Sequence, residues 1–186
     1  MQIRPLTSDD LRFLGDIDAT LESSQYIHLE RSGDGIAIGI KLEARPLREK
    51  TITSNPIGDD LAMYYRQIAS GADEGVALVA EHDGQLVAAA LAQPSLPHST
   101  MRLLDLRVDY DQRRQGLGSA MAYQIISASR DAGLRAVLAE TRANNFPANQ
   151  FLLKIGFDLS GVDGRRFTNH DLVKEAATLI WYAALD

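Results

Sequence analysis

Apolar residues along this chain alternate between period two and a period of three to four, and their order predicts a mixed α/β fold. Residues 2–6 read as a short strand. Thr7, Ser8 and Asp9 offer caps for a helix carrying Leu11, Leu14 and Ile17. The segment Gly33 to Gly39 is turn-rich, and Ile36, Ile38 and Ile40 alternate with small residues as in a strand. Arg45 to Gly58, with Pro46 and Pro56, reads as a loop, and Leu61 to Ser70 as a helix ending near Gly71. Val76–Glu81 and Leu86–Leu91 flank Asp83-Gly84, a hairpin signal, with Pro94 and Pro97 closing the pair.

Leu103, Leu104, Leu106 and Val108 then form a strand, followed by the polar turn Asp109 to Gln115 and by Gly116-Leu117-Gly118. Leu117, Met121, Ile125 and Ala128 recur at helical spacing, and Gly133 stops that helix. A strand over Ala136–Ala139 precedes a helix over Phe146–Ile155, with Asn145 as its cap and Pro147 in its first turn. Gly156 ends it, and Thr178–Ala184 is a closing strand. With no internal repeat or linker, residues 1–186 are expected to form one domain.

Composition narrows the chemistry. No cysteine is present, which excludes disulfides, thiolate metal sites and a cysteine nucleophile. The net charge of −6 argues against a nucleic-acid surface and suits a cationic small molecule, while also serving solubility. No apolar run approaches the roughly 18 residues of a membrane span, and Met1 to Thr7 lacks the build of a secretion signal. A cytoplasmic protein without nucleic-acid or membrane partners is the expectation. The four histidines (His28, His82, His98, His170) show no metal-ligand spacing, so no metal is expected.

The turn Arg113-Arg114-Gln115-Gly116-Leu117-Gly118 is the informative one. Between a strand and an amphipathic helix, it presents unpaired helix-start amides and the positive end of the helix dipole. Glycine removes the Cβ atoms that would hold a pyrophosphate off the backbone, and Arg113 and Arg114 add forked cationic donors. The dinucleotide fingerprint fails because Met121 stands where Gly or Ala is needed, and no Gly-Lys pair exists for a P-loop.

Leu103 to Ala120 resembles motif A of the GNAT acetyltransferases. Asn145-Phe146-Pro147-Ala148, with Phe151 to Phe157, is similar to that family's motif B. Within the family the chain is similar to the streptothricin (nourseothricin) acetyltransferases. This likeness lies in Ile17-Asp18-Ala19-Thr20, the Gly33-Asp34-Gly35 turn, Leu104-Asp105-Leu106-Arg107-Val108 and Gly156 to Asp163. The resemblance implies the GNAT fold, a twisted and mostly antiparallel sheet with helices on both faces, splayed at Leu103–Val108. It also implies acetyl-CoA as cosubstrate. Backbone groups of Leu106, Arg107 and Val108 would pair with the pantetheine arm. The amides of Arg113, Arg114, Gln115, Gly116, Leu117, Gly118 and Ser119 would hold the pyrophosphate. Asn145 would contact the cofactor, cap its helix, or both.

The implied activity is acetyl transfer to a primary amine of a small cationic acceptor, a streptothricin-like antibiotic being one such acceptor. Two alternatives are a non-catalytic CoA-binding sensor and a protein N-terminal or lysine acetyltransferase. A primary amine with pKa near 10.4 is protonated about 2,500 to 1 at pH 7, so a base is needed. Asp105, placed on the face opposite Leu104, Leu106 and Val108, is the preferred base; binding the substrate cation, or a structural hydrogen bond, are its other readings. Glu81 is the weaker choice. The Val108 amide would face the thioester oxygen. Leu152 stands where many family members have the tyrosine that protonates the leaving thiolate; water, Tyr110, Tyr123 or Tyr182 would take that role. The acceptor and the oligomeric state, a homodimer included, stay open.

Overall fold

The computed structural model describes residues 1–185. They form two compact units: residues 1–20, 54–139 and 183–185 in the first, 21–53 and 140–182 in the second.

The first unit begins with β1 (Gln2–Pro5) and a 3-10 helix, Ser8–Asp16. Its start is fixed by a reciprocal cap in which the Thr7 amide and hydroxyl both donate to Asp10 Oδ2, each at 2.8 Å. After residue 54 come α1 (Asp59–Ala69), β4 (Val76–His82), β5 (Gln85–Ser95), β6 (Thr100–Val108) and α2 (Leu117–Asp131). β7 spans Ala136–Arg142 and contributes its residues as far as Ala139 to this unit. The strand order is β1-β4-β5-β6-β7, antiparallel except for the β6–β7 pair. Asp83 and Gly84 both take positive φ (51° and 77°), the geometry the Asp-Gly hairpin signal predicts.

Sheet alternation sorts the core into two layers. Val79 opposite Ala89 and Ala77 opposite Leu91 pack with Tyr65 of α1 and with Leu14 and Ile17. The intervening pairs, Leu78–Ala90 and Ala80–Ala88, point to the other face, where α2 packs on β4, β5 and β6 through Leu117, Met121 and Ile125. Helices thus cover both faces.

In β6 the register slips: Leu91 opposes Asp105 while Ala92 opposes Leu103, leaving Leu104 as the extra residue of a bulge. Leu104 packs against the Tyr65 cluster, so it shares a face with Asp105, contrary to plain alternation. Only Leu106 and Val108 keep the expected opposite orientation.

In the second unit β2 (Leu21–Asp34) and β3 (Ala37–Thr53) form a long antiparallel ribbon. The loop expected from Arg45 is therefore a strand as far as Thr53. Pro46 is tolerated because it faces Gln25 beside a bulge at Ser23/Gln25, in a ribbon whose outer edges need no ladder donor. Likewise Pro94 does not close β5, which runs on to Ser95 opposite Thr100. α3 (Phe146–Lys154), β8 (Asp158–Asp163) and β9 (Thr178–Ala184, to Tyr182 in this unit) complete it. Asn149 is fully buried and joins three parts of this unit. It donates to the carbonyls of Arg142 (2.9 Å) and Asn145 (2.8 Å) and accepts from Trp181 Nε1 (3.0 Å) and from the Thr141 hydroxyl.

Candidate functional site

β6 pairs with β7 only from Thr100–Ala136 to Leu103–Ala139, then continues for five residues to Val108. The Asp109 amide donates back to the Val87 carbonyl of β5 at 2.8 Å. Strand alternation therefore turns the amides and carbonyls of Leu106 and Val108 away from β5, onto the edge that β7 leaves. That edge can take an extended, amide-bearing chain as one more strand.

The turn after β6 leads to α2. Arg114 (φ 64°) and Gly116 (φ 83°) both adopt left-handed backbone, and Gly116 is the N-cap. The first bond of the helical ladder runs from the Ala120 amide to the Gly116 carbonyl, 3.0 Å. The amides of Leu117, Gly118 and Ser119 thus stand outside the ladder, at the positive end of the helix. A Cβ on Gly116 would meet no heavy atom within 4 Å, so the space above the turn is open. This is an anion cradle.

The two arginines divide the work differently from expectation. Arg113 is a clamp: it donates to the carbonyls of Val108 (3.0 Å), Thr20 (2.7 Å) and Asp18 (3.4 Å), and its guanidinium lies 5.1 Å from the centre of the Tyr110 ring. Its fork is spent on the fold, which fixes the turn to the end of β6. Arg114 is exposed and carries the cradle's side-chain charge.

On the α1 face of β6 lies a buried polar cluster. Arg107 Nε and Nη2 donate to Asp105 Oδ2 (2.6 Å) and Oδ1 (3.2 Å), and its Nη1 donates to the Asn55 carbonyl (3.3 Å). The Tyr65 hydroxyl donates to Asp105 Oδ2 at 2.9 Å. The side chains of Arg107 and Asp105 are 3% and 10% exposed. Burial, and then the neighbouring Asp105 charge, push the Tyr65 phenol well above its ordinary pKa, so it remains a donor. Sequence reasoning pointed to Tyr64-Tyr65 as pocket-lining or core residues but missed the Tyr65 bond to Asp105 and the Arg107 side chain; no motif marks a tyrosine 40 residues from its partner.

Glu81 lies on β4, not with this cluster, and accepts from Arg4 Nη2 at 3.1 Å. Arg4 also bridges Asp10 at 2.7 Å, and that bond foremost holds the Asp10 carboxyl far below its usual range. In the second unit Asn145 is the N-cap of α3, its side-chain oxygen accepting from the Ala148 amide at 3.2 Å. Leu152, also there, is buried. Tyr110 and Tyr123 are exposed. Among the described residues no group of metal-ligating side chains gathers, and no helix is long and apolar enough to cross a membrane.

A strand that outruns its parallel neighbour and feeds a glycine-capped helix is accompanied by a decisive match: the model of the acetyltransferase (GNAT) family fits residues 44–157, more than half of the chain. The chain belongs to the GNAT acetyltransferase family. It is accordingly an acetyl-CoA-dependent N-acetyltransferase by family. Its fold is shared by nourseothricin acetyltransferase, at 19% identity and a TM-score of 0.80, covering 100% of this chain and 98% of that one. A Bacillus anthracis (strain Ames) protein assigned as a streptothricin acetyltransferase, solved with acetyl coenzyme A, aligns at 18% identity and a TM-score of 0.79, over 100% and 97%. The Escherichia coli ribosomal-protein-S18-alanine N-acetyltransferase follows at 19% and 0.64, over 100% and 94%. No curated protein matches the chain.

Proposed function

We propose that this GNAT member moves an acetyl group from acetyl-CoA directly to a primary amine of a small cationic acceptor, a streptothricin-like compound being the first to test. The observation that carries the reading is the free edge of β6 running into the cradle at Gly116. The edge groups of Leu106 and the Val108 amide suit a pantetheine arm, and the amides of Leu117, Gly118 and Ser119 with Arg114 suit a pyrophosphate. Acetyl-CoA supplies a thioester carbonyl. The amine nitrogen attacks its carbon, the C–N bond forms, the C–S bond breaks, and the thiolate takes a proton from water or from a tyrosine such as Tyr110.

Asp105 accepts the proton the amine loses. Arg107 donates to it at 2.6 Å, and Tyr65, itself held protonated, fixes its orientation. Its second oxygen carries only the longer 3.2 Å bond and is the one with capacity for an ammonium. The Val108 amide, turned to the open edge, donates to the developing oxyanion. Glu81, tied to Arg4, is the reserve candidate, and Asn145 serves as cap and cofactor contact. The whole chain acts as one cytoplasmic acetyltransferase domain, in keeping with its coverage of nourseothricin acetyltransferase, and antibiotic resistance is the role such chemistry would serve.

The test is thiol release from acetyl-CoA with streptothricin, aminoglycosides and polyamines at several pH values. Release above the enzyme-free rate with one of them, lowered by D105N without loss of acetyl-CoA affinity, supports the reading. CoA binding with no turnover on any amine or peptide would favour a sensor. Turnover on peptide amines alone would favour a protein acetyltransferase, a class represented among the fold's neighbours.

A further inference from the structure

Among the described residues, four that are not glycine hold a positive φ: Asp83, Ser99, Arg114 and Glu175. Three have local reasons: Asp83 turns a hairpin, Ser99 caps a short helical turn, and Arg114 lies in the cradle. Glu175 (φ 55°) is different. It follows a helical turn in which the Ala176 amide reaches the Asp171 carbonyl (2.8 Å) and the Glu175 amide the Leu172 carbonyl (3.2 Å). That pair of bonds is a Schellman closure, whose left-handed position is normally glycine because a Cβ there crowds the backbone. A glutamate in this place breaks a local rule, and such breaks gather where side chains have work to do.

The Glu175 carboxylate meets His28 Nδ1 at 3.3 Å, and its proximity raises the Tyr26 phenol above its ordinary pKa. The Tyr26 and His28 rings stand edge to face, 6.2 Å apart. Glu175, 35% exposed, opens onto a cavity of about 520 Å³ lined by Tyr26, Pro46, Leu47, Arg48, Glu49 and Glu175. That volume suits a small molecule. Two carboxylates and an aromatic ring face it. Arg45, whose charge also acts on Tyr26, pairs with Glu43 at 3.0 and 3.1 Å.

We propose that this cavity of the second unit binds a primary ammonium group, with the Glu175 carboxylate as its anchor and the Tyr26 ring as a cation-facing wall. Arg48 gives the same cavity a place for an anionic substituent, as on an amino acid. The site goes beyond acetyl transfer: it is built from the second unit alone and is read without acetyl-CoA.

Calorimetric titration of the full chain with cadaverine and with lysine, both without acetyl-CoA, tests this. Binding of at least one is expected, weakened about tenfold or more in E175G and in E175Q. E175G also removes the left-handed strain, so its thermal midpoint should hold or rise. Tighter binding of lysine than of cadaverine, lost in R48Q, would place the carboxylate on Arg48; equal binding would leave the ammonium as the recognised group, and both support the site. No heat with either compound, or affinity unchanged in E175G, overturns it. So does a fall in the E175G midpoint without a change in affinity, which would make Glu175 structural. A chain that binds these amines but acetylates nothing would overturn the acetyl-transfer reading and leave this one standing.

Discussion

Replacing Arg107 with methionine tests the cluster on which the base assignment depends. Methionine keeps much of the apolar stem and removes the guanidinium. Three hydrogen bonds go, at 2.6, 3.2 and 3.3 Å, and the Asp105 carboxylate keeps only the neutral Tyr65 donor at 2.9 Å. Because these side chains are 3% and 10% exposed, solvent cannot replace the lost partner. Breaking a buried pair from one side costs about 3–5 kcal/mol. For a chain of this size each kcal/mol moves the midpoint by about 2–4 °C, so a drop of roughly 6–20 °C is expected. Thermal and urea unfolding, followed through the sole tryptophan, Trp181, would measure it. D105N alone should also destabilise, by stranding the guanidinium. The double variant D105N/R107M removes both charges and should recover much of the loss, giving a positive coupling in the cycle. A midpoint for R107M within 2 °C of the parent, or a double variant that is merely the sum of the singles, would refute the buried-pair argument.

G116A forces a Cβ into left-handed backbone, which costs about 1–2 kcal/mol although nothing clashes; calorimetry should also show CoA binding weakened several-fold, since that Cβ projects over the cradle. Tyr65 is held protonated in the fold while an unfolded tyrosine ionises near 10. Its contribution is complete below that value and lost as pH climbs through the raised folded pKa, so urea midpoints should fall between pH 10 and 11 more steeply in the parent than in Y65F. N149A removes two donated bonds and two accepted, from Trp181 and the Thr141 hydroxyl, for a loss of about 2 kcal/mol or more, measured by urea unfolding with tryptophan fluorescence.

The Arg-x-x-Gly-x-Gly turn, the helices α1, α2 and α3 and the Asp-Gly hairpin were legible because each rests on local chemistry: a cap, a glycine, a short apolar repeat. What the sequence concealed depends on partners far along the chain. Leu104 looks like any alternating strand residue, and only its register against β5 reveals the bulge that puts it beside Asp105. Arg113 reads as a phosphate fork until the carbonyls of Asp18 and Thr20, over 90 residues away, are seen to occupy it. Pro46 signals a loop because breakers are weighed singly, whereas a two-stranded ribbon gives proline an outer edge. β8, with Gly161 and a register shift beside it, offers too little alternation to be recognised as a strand.

The ribbon also carries a kinetic liability. From Glu30 to Lys41 every residue is exposed, Ile36, Ile38 and Ile40 among them, while the amide of Ile27 is fastened to the Ala143 carbonyl at 2.9 Å. Beyond that fastening and the His28–Glu175 contact, the exposed tip is held by cross-strand pairs, and an isolated hairpin in water is marginal. The tip should therefore fray long before the molecule unfolds, so trypsin would nick first at Arg31 and Lys41 and leave two fragments that stay together.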